Sequence, residues 1–100
     1  MDYRIIYTQK ALNNLAEIIG YIAEDSPDTA SRFGSALIEH VELLSRFPRM
    51  GGVVRKRTHV RKLVHTPILI YYRIDENKQA LQILHFRYGM RKPPDSELRA

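Results

Sequence analysis

The residues of this chain that could do chemistry are concentrated near its C-terminal end, where an apolar strand-like segment runs into a basic stretch. Arg87, Tyr88, Arg91 and Lys92 lie within six positions, separated by Gly89. Guanidinium and ammonium groups donate charge-assisted hydrogen bonds to phosphate and carboxylate groups, and a tyrosine hydroxyl beside them can exchange a proton. The pattern indicates a surface that contacts an anionic partner.

A second basic cluster lies in the middle of the sequence. It places five cations in eight positions, namely Arg55, Lys56, Arg57, Arg61 and Lys62. Residues 53–100 hold eleven Lys/Arg and four Asp/Glu, whereas residues 1–52 hold five and seven. The five positive charges repel one another, and binding of an acidic protein or a nucleic-acid backbone would relieve this repulsion. A solvated loop explains the cluster equally well. Direct contact with nucleic acid is therefore allowed but not required.

Histidines are the remaining candidates for proton transfer or metal binding: His40, His59, His65 and His85. His59 and His65 are six positions apart with only cations as charged residues between them, which is not the ligand spacing of a metal site. The chain has no cysteine, and it has no glycine-rich phosphate loop and no His-Glu-x-x-His motif. We therefore predict no metal and no cofactor. His85 is a proton donor or acceptor on a strand, or a hydrogen-bonded structural histidine.

The length of 100 residues is that of one domain. We predict a single domain over residues 1–93 and a polar tail over residues 94–100. The longest apolar run is far shorter than the roughly 20 residues of a membrane span, and the N-terminus has no signal-peptide pattern. We therefore expect a soluble protein that is not exported and stays in the cytoplasm. The absence of cysteine agrees with this location.

Two helices are predicted in the first half of the chain. Thr8 is a helix N-cap after the strand-like segment 3–7, and Ser26 with Pro27 starts a second helix that ends before Pro48. Gly20 and Gly34, one in each helix, would allow the helices to approach closely.

Three strands follow, at residues 60–64, 68–74 and 80–88, and Gln82 and His85 are expected on opposite faces of the last one. The order β-α-α-β-β-β predicts an α+β fold, with a helical hairpin packed on a mostly antiparallel sheet.

This ordered set resembles the ParE/RelE superfamily of bacterial toxins from type II toxin–antitoxin systems, and it is most similar to the ParE-like branch. The resemblance spans about residues 3–93 and rests on the following segments: Tyr3–Tyr7, Ala11-Leu12-x-x-Leu15, Ser45-x-Phe47-Pro48-x-x-Gly51, Val60–Leu63, Ile70-x-Tyr72-Arg73-Ile74 and Ile83-Leu84-His85-x-Arg87-x-Gly89-x-Arg91. It implies a toxin of a plasmid-stabilisation type module. Such a toxin is neutralised by a cognate antitoxin.

The resemblance allows two activities. RelE-like members cut messenger RNA on the ribosome without a metal, and here that chemistry would fall to Arg61, His85, Arg87 and Tyr88, with His65 as a further proton carrier. Leu69 stands where that branch places a strand arginine, and leucine cannot stabilise charge on a phosphate. ParE-like members bind DNA gyrase. The sequence therefore favours a gyrase-directed toxin that is not an enzyme, with a RelE-like endonuclease and a degenerate, non-toxic family member as alternatives.

An acidic, partly disordered antitoxin is the partner that the charge distribution and the resemblance imply, in a toxin–antitoxin hetero-oligomer. Its carboxylates would pair with Arg61, Arg73 or Arg87, while its apolar residues would lie in a channel beside the helices. The expected contact residues for target or antitoxin are Arg55, Lys56, Arg57, Arg61, Lys62, Arg73, Arg87, Tyr88, Arg91 and Lys92.

Overall fold

The computed structural model of the chain describes residues 2–89, so the predicted tail at residues 94–100 lies outside the described residues. The elements follow one another as β1 (Arg4–Tyr7), α1 (Gln9–Asp25), α2 (Pro27–Glu42), a 3₁₀ turn (Leu43–Ser45), β2 (Gly52–Val54), β3 (Arg57–His65), β4 (Ile68–Asp75) and β5 (Ala80–Tyr88). The α+β class and the helical hairpin on a mostly antiparallel sheet are confirmed.

Both predicted helix caps are present. The Thr8 hydroxyl accepts a hydrogen bond from the Ala11 N–H at 3.2 Å, and the Ser26 hydroxyl accepts one from the Thr29 N–H at 3.2 Å. Pro27 occupies the start of α2, where its missing N–H costs nothing. Each cap satisfies a backbone donor that would otherwise have no partner in the first turn of its helix.

The five strands form one sheet in the order β1-β5-β4-β3-β2. The last strand of the chain therefore lies between β1 and β4. β1 runs parallel to β5, with Arg4 opposite Ala80 and Tyr7 opposite Ile83, and the other pairs are antiparallel. A parallel neighbour requires a crossover connection, which the helical hairpin begins and β2 to β4 complete.

β2 was not predicted. The sequence indicated three strands after the helices, and the structure has four, because Gly52–Val54 pairs with β3. The strand is only three residues long, and it begins at a glycine that has no side chain to show an alternating pattern. It forms a hairpin with β3, and the turn of that hairpin carries Arg55 and Lys56.

The helices cover one face of the sheet and form the core with it. Leu37 and Val41 of α2 and Ile70 of β4 are fully buried there. A Cβ atom on Gly34 would lie 3.1 Å from the Ile19 Cδ1, so this glycine permits close contact between the helices as predicted. The same prediction was wrong for Gly20, where a Cβ would meet nothing within 4 Å.

A β-bulge in β5 changes which residues share a face. Tyr71 lies opposite His85 and Tyr72 opposite Ile83, so Leu84 is an extra residue in β5. Gln82 lies opposite Arg73, and directly opposed residues point to the same side of a sheet. Because Arg73 and Tyr71 are two positions apart, Gln82 and His85 share the face away from the helices. The expectation of opposite faces was wrong, because the bulge inserts one residue between them.

Among residues 2–89, no helix is long and apolar enough to cross a membrane.

Candidate functional site

The face of the sheet away from the helices, here called the open face, carries the main concentration of functional side chains. A groove of about 640 Å³ lies on it. Three cations line this groove, each from a different element: Lys10 from α1, Arg57 from the start of β3 and Arg87 from β5. An anion entering the groove would meet all three charges.

His85 lies in the same groove, and its ring is fixed by aromatic contacts. The imidazole stacks on the Tyr71 ring with centroids 4.6 Å apart and planes inclined by 20°. The Arg87 guanidinium carbon lies 5.7 Å from the centroid of the same tyrosine, which is a cation–π contact. Tyr71 therefore orients both His85 and Arg87 toward the groove.

The electrostatics of the groove keep His85 neutral near pH 7. Burial lowers the pKa of this imidazole, and the positive charges of Lys10, Arg87 and Arg57 lower it further. A neutral imidazole can accept a proton, while the surrounding cations attract a negatively charged group. The groove is therefore suited to hold a phosphate or a carboxylate.

The sheet separates the four residues that a ribonuclease reading would combine. His85 and Arg87 lie on the open face, whereas Arg61 lies opposite Tyr72 and Tyr88 lies opposite Ile68, both on the helix face. The Arg61 Nη1 donates a hydrogen bond to the Gly51 carbonyl at 2.7 Å.

Tyr88 packs against the hydrophobic core, and burial raises the pKa of its hydroxyl. Arg61 and Tyr88 therefore do not share a site with His85.

The other predicted contact residues are spread over the basic half of the molecule. Arg55 and Lys56 are exposed in the β2–β3 turn, and Lys62 is exposed opposite Tyr71 on the open face. The Arg73 Nε donates to the Gln82 Oε1 at 2.5 Å on that face. Arg91 and Lys92 lie outside the described residues.

His65, the further proton carrier of the ribonuclease reading, lies opposite Ile68 on the helix face of the sheet, whereas His85 is on the open face. Its Nδ1 is 2.9 Å from the His40 Nδ1, and its ring meets Phe33 edge to face at 5.6 Å between centroids. Burial lowers the pKa of His65, and the neighbouring His40 lowers it further. The pair joins the end of α2 to β3, which is a structural role.

Lys10 is the charged residue of the groove that the sequence did not single out. The Thr8 hydroxyl donates to the carbonyl oxygens of Ile83 at 2.8 Å and Leu84 at 3.0 Å, so α1 starts beside the bulge of β5. This contact brings the first turn of α1, and Lys10 with it, to the rim of the groove. Because it depends on the pairing of β1 with β5, no local sequence signal announces it.

Within the described part of the chain, no group of three or more His, Cys, Asp or Glu side chains is arranged to hold a metal ion.

Solved structures from toxin–antitoxin systems share this architecture. The chain superposes with a TM-score of 0.74 on a chain of the chromosomal ParDE system from P. aeruginosa, at 22% identity, covering 87% of this chain and 96% of the other. For a chain of the RelBE2 toxin–antitoxin complex from Mycobacterium tuberculosis, the TM-score is 0.66 at 23% identity, and the match covers 88% of this chain and 99% of the other. For the isolated E. coli RelE toxin, the TM-score is 0.58 at 14% identity, and the match covers 96% of this chain and 94% of the other. These similarities show a shared fold.

The sequence places the chain within this class. Residues 5–93 match the model of the ParE toxin of the type II toxin–antitoxin system parDE. A curated relative from Sinorhizobium fredii, named "Putative toxin Y4kP", is 36% identical over 83 residues, which cover 82% of this chain and 86% of the relative. The chain therefore belongs to the ParE toxin family.

Proposed function

We propose that this toxin acts by binding DNA gyrase and does not cleave RNA. The observation that carries the proposal is the separation of Arg61 and Tyr88 from His85 and Arg87 by the sheet. Metal-independent RNA cleavage needs a base for the 2′-hydroxyl and an acid for the leaving 5′-oxygen within reach of one phosphate. The open-face groove contains one imidazole and no carboxylate among its lining residues.

The position of Leu69 also argues against RNA cleavage. It lies directly opposite Arg87 in the β4–β5 ladder, so its side chain is on the open face. An apolar side chain there leaves the neighbouring phosphate site without one of the cations that would stabilise the transition state.

An exposed apolar patch supports binding to a protein. Phe47 is 55% exposed and Met50 is 40% exposed in the loop after the 3₁₀ turn, and the Arg46 guanidinium carbon lies 5.9 Å from the Phe47 ring centroid. Aromatic, methionine and arginine side chains are the types enriched in the centre of protein–protein interfaces. We infer that this patch, formed by Arg46, Phe47 and Met50, contributes to the contact with gyrase.

The test is expression of the chain without an antitoxin. Gyrase-dependent DNA breaks and induction of the SOS response support the proposal, and purified toxin should inhibit supercoiling by purified gyrase. Arrested translation with cleaved messenger RNA and unaffected gyrase would refute it. Absence of any growth defect would favour the degenerate, non-toxic alternative.

Two substitutions sharpen this test. Arg87→Ala should abolish toxicity if the basic end of β5 contacts the target, and Phe47→Ser should weaken inhibition of supercoiling. Arg32→Ala is the matched control, because Arg32 is an exposed arginine on α2 that belongs neither to the lining of the open-face groove nor to the patch of Arg46, Phe47 and Met50. Wild-type toxicity of both Arg87→Ala and Arg32→Ala would place the contact elsewhere.

A RelE-like endonuclease is the second candidate, and the groove is the observation that favours it. Neutral His85 would accept the 2′-hydroxyl proton, the 2′-oxygen would attack phosphorus, and the 5′-oxygen would leave with a proton from the solvent. Lys10, Arg57 and Arg87 would stabilise the phosphate charge. On this reading His85→Gln abolishes RNA cleavage, whereas on the leading reading it leaves inhibition of gyrase intact.

We further propose a cognate acidic antitoxin as the neutralising partner. The similar ParDE and RelBE2 structures come from toxin–antitoxin systems. Arg73 and Arg87 are exposed on the open face, where antitoxin carboxylates could reach them, although the Arg73 Nε also donates to Gln82. Arg61 is only partly exposed and donates to the Gly51 carbonyl. Binding should weaken with added salt. Purification of the toxin as a stable, non-toxic monomer with no adjacent small acidic reading frame would contradict the proposal.

A further inference from the structure

The cations of the open-face groove belong to a larger positive surface that extends over the open face of the sheet. Lys62 of β3 and Arg73 of β4 lie on this face outside the groove. Arg4 of β1 lies opposite Ala80, and Ala80 lies opposite Asp75, which is two positions from Arg73. Since opposed residues point to the same side of a sheet, Arg4 is on the open face as well. The exposed cations of this face, here called the cation array, are Arg4, Lys10, Arg57, Lys62, Arg73 and Arg87.

Little negative charge balances the cation array. Asp75 is the only Asp or Glu in the strands of residues 2–89, and it lies at one end of the array. Its Oδ1 accepts a hydrogen bond from the Lys78 N–H at 3.2 Å, so this carboxylate closes the turn after β4. Glu76, in the same turn, forms an ion pair with Arg49, which is not part of the array. The positive charges of the array repel one another, and binding of a polyanion would relieve this repulsion.

The dimensions of the array fit a nucleic-acid backbone. Along β4 it extends from Leu69, which lies opposite Arg87, to Asp75, which is at the level of Arg4. The strand segment between these two positions is about 20 Å long, and the strand spacings from β1 to β3 give a width of about 14 Å. Duplex DNA carries one phosphate per about 3.4 Å of axis on each strand, so about six phosphates of one strand lie along this length.

We propose that the cation array binds the phosphate backbone of duplex DNA, namely the DNA on which gyrase acts. The inference rests on the proposed function, because gyrase is what brings the toxin to DNA. An acidic polypeptide would cover the array less completely, because an extended peptide joins a sheet along one free edge. The array instead crosses the face of four neighbouring strands, β1, β5, β4 and β3.

The array leaves the apolar patch free for gyrase itself. The patch of Arg46, Phe47 and Met50 has no residue in common with the array, so the toxin can contact protein and DNA at the same time. Once one contact has formed, the other is intramolecular, and the two together hold the toxin more tightly than either alone. We therefore expect toxin to bind the complex of gyrase with DNA more tightly than gyrase alone.

Fluorescence anisotropy of a fluorescein-labelled duplex of random sequence, titrated with the full-length toxin at several KCl concentrations, tests the proposal. Each phosphate contact contributes about −0.9 to the slope of the logarithm of the binding constant against the logarithm of salt concentration, so contacts from the whole array predict about −5. Lys62→Gln and Arg4→Gln change residues outside the groove, and each should reduce the size of the slope by about 0.9.

Arg32→Gln is the matched control, because it removes one exposed positive charge from α2 and should leave the slope unchanged. Equal slopes for Lys62→Gln, Arg4→Gln and Arg32→Gln would overturn the proposal. Competition identifies the ligand class: unlabelled duplex should displace the labelled duplex at a lower concentration of charge than single-stranded RNA or poly-L-glutamate. Stronger displacement by either of these would refute duplex DNA as the ligand.

Inhibition of supercoiling by the same variants separates this inference from the proposed function. Lys62→Gln should inhibit gyrase less than Arg32→Gln does. If the two variants inhibit gyrase as strongly as the wild type, the array has no role in the complex, and gyrase remains the target. If the wild type does not inhibit gyrase, the proposed function is wrong and so is the source of the DNA, while the anisotropy slopes still decide whether the array binds a duplex.

Discussion

The hydroxyl of Tyr72 ties the loop that carries the exposed patch to the sheet. Tyr72 is fully buried, and its hydroxyl donates to the Pro48 carbonyl at 2.6 Å and accepts from the Gly51 N–H at 3.0 Å. Tyr72→Phe keeps the ring in the core but leaves both backbone groups without this partner. A buried polar group that loses its hydrogen bond costs about 1–3 kcal/mol. We expect a loss of about 2 kcal/mol in the free energy of unfolding.

For a domain of this size, about 2 kcal/mol lowers the melting temperature by roughly 8–16 °C. Circular dichroism during thermal and urea unfolding measures the change. Tyr71→Phe is the matched control, because Tyr71 is the preceding residue, its side chain lies on the opposite face of the sheet, and its stacking on His85 needs only the ring. That variant should stay within about 0.5 kcal/mol of the wild type. Equal stabilities of the two variants would refute the assigned role of the Tyr72 hydroxyl.

Three further predictions concern stability. In the folded state the pKa of His65 is lowered below its ordinary value of about 6.5. The unfolded chain therefore binds more protons at and just below pH 6.5, and the free energy of unfolding should fall as the pH drops through this range. Thermal scans from pH 8 to pH 5 should show a smaller decrease for His65→Leu than for the wild type, and an identical decrease would contradict this. Gly20→Ala should raise the free energy of unfolding by about 0.8 kcal/mol, because a helical alanine fits there in open space, and an unchanged urea midpoint would count against it. Gly51→Ala should lower it by about 2 kcal/mol, because its Cβ would lie 2.8 Å from both the Lys62 carbonyl oxygen and the Tyr72 hydroxyl, and wild-type stability would show that the loop adapts.

The sequence predicted the elements that local chemistry defines. The caps at Thr8 and Ser26 and the start of α2 at Pro27 are set by residues within one helical turn of the feature that they specify. The strands at residues 68–74 and 80–88 were long and apolar enough to recognise. Each of these signals is contained in a few neighbouring residues.

The features that escaped prediction depend on pairing between distant segments. β2 is a strand because β3 lies beside it, and Leu84 is a bulge residue because Tyr71 and Tyr72 set the register. The spacing of the buried residues Ile83 and Phe86, three positions apart, is the sequence signal that could have shown the bulge. That one residue decides that His85 lies on the open face and Tyr88 on the helix face, so the composition of the candidate site could not be read from strand alternation.

The position of β5 between β1 and β4 has a consequence for synthesis of the toxin. β1 is made first, but β5, which is its one strand neighbour within residues 2–89, is made after all the other described elements. Contacts between such distant segments form late, because closing the long connection costs entropy before any pairing rewards it. A nascent chain from which β5 has not yet emerged lacks residues that line the open-face groove and lacks the partner of β1. The complete site therefore arises only after β5 has left the ribosome.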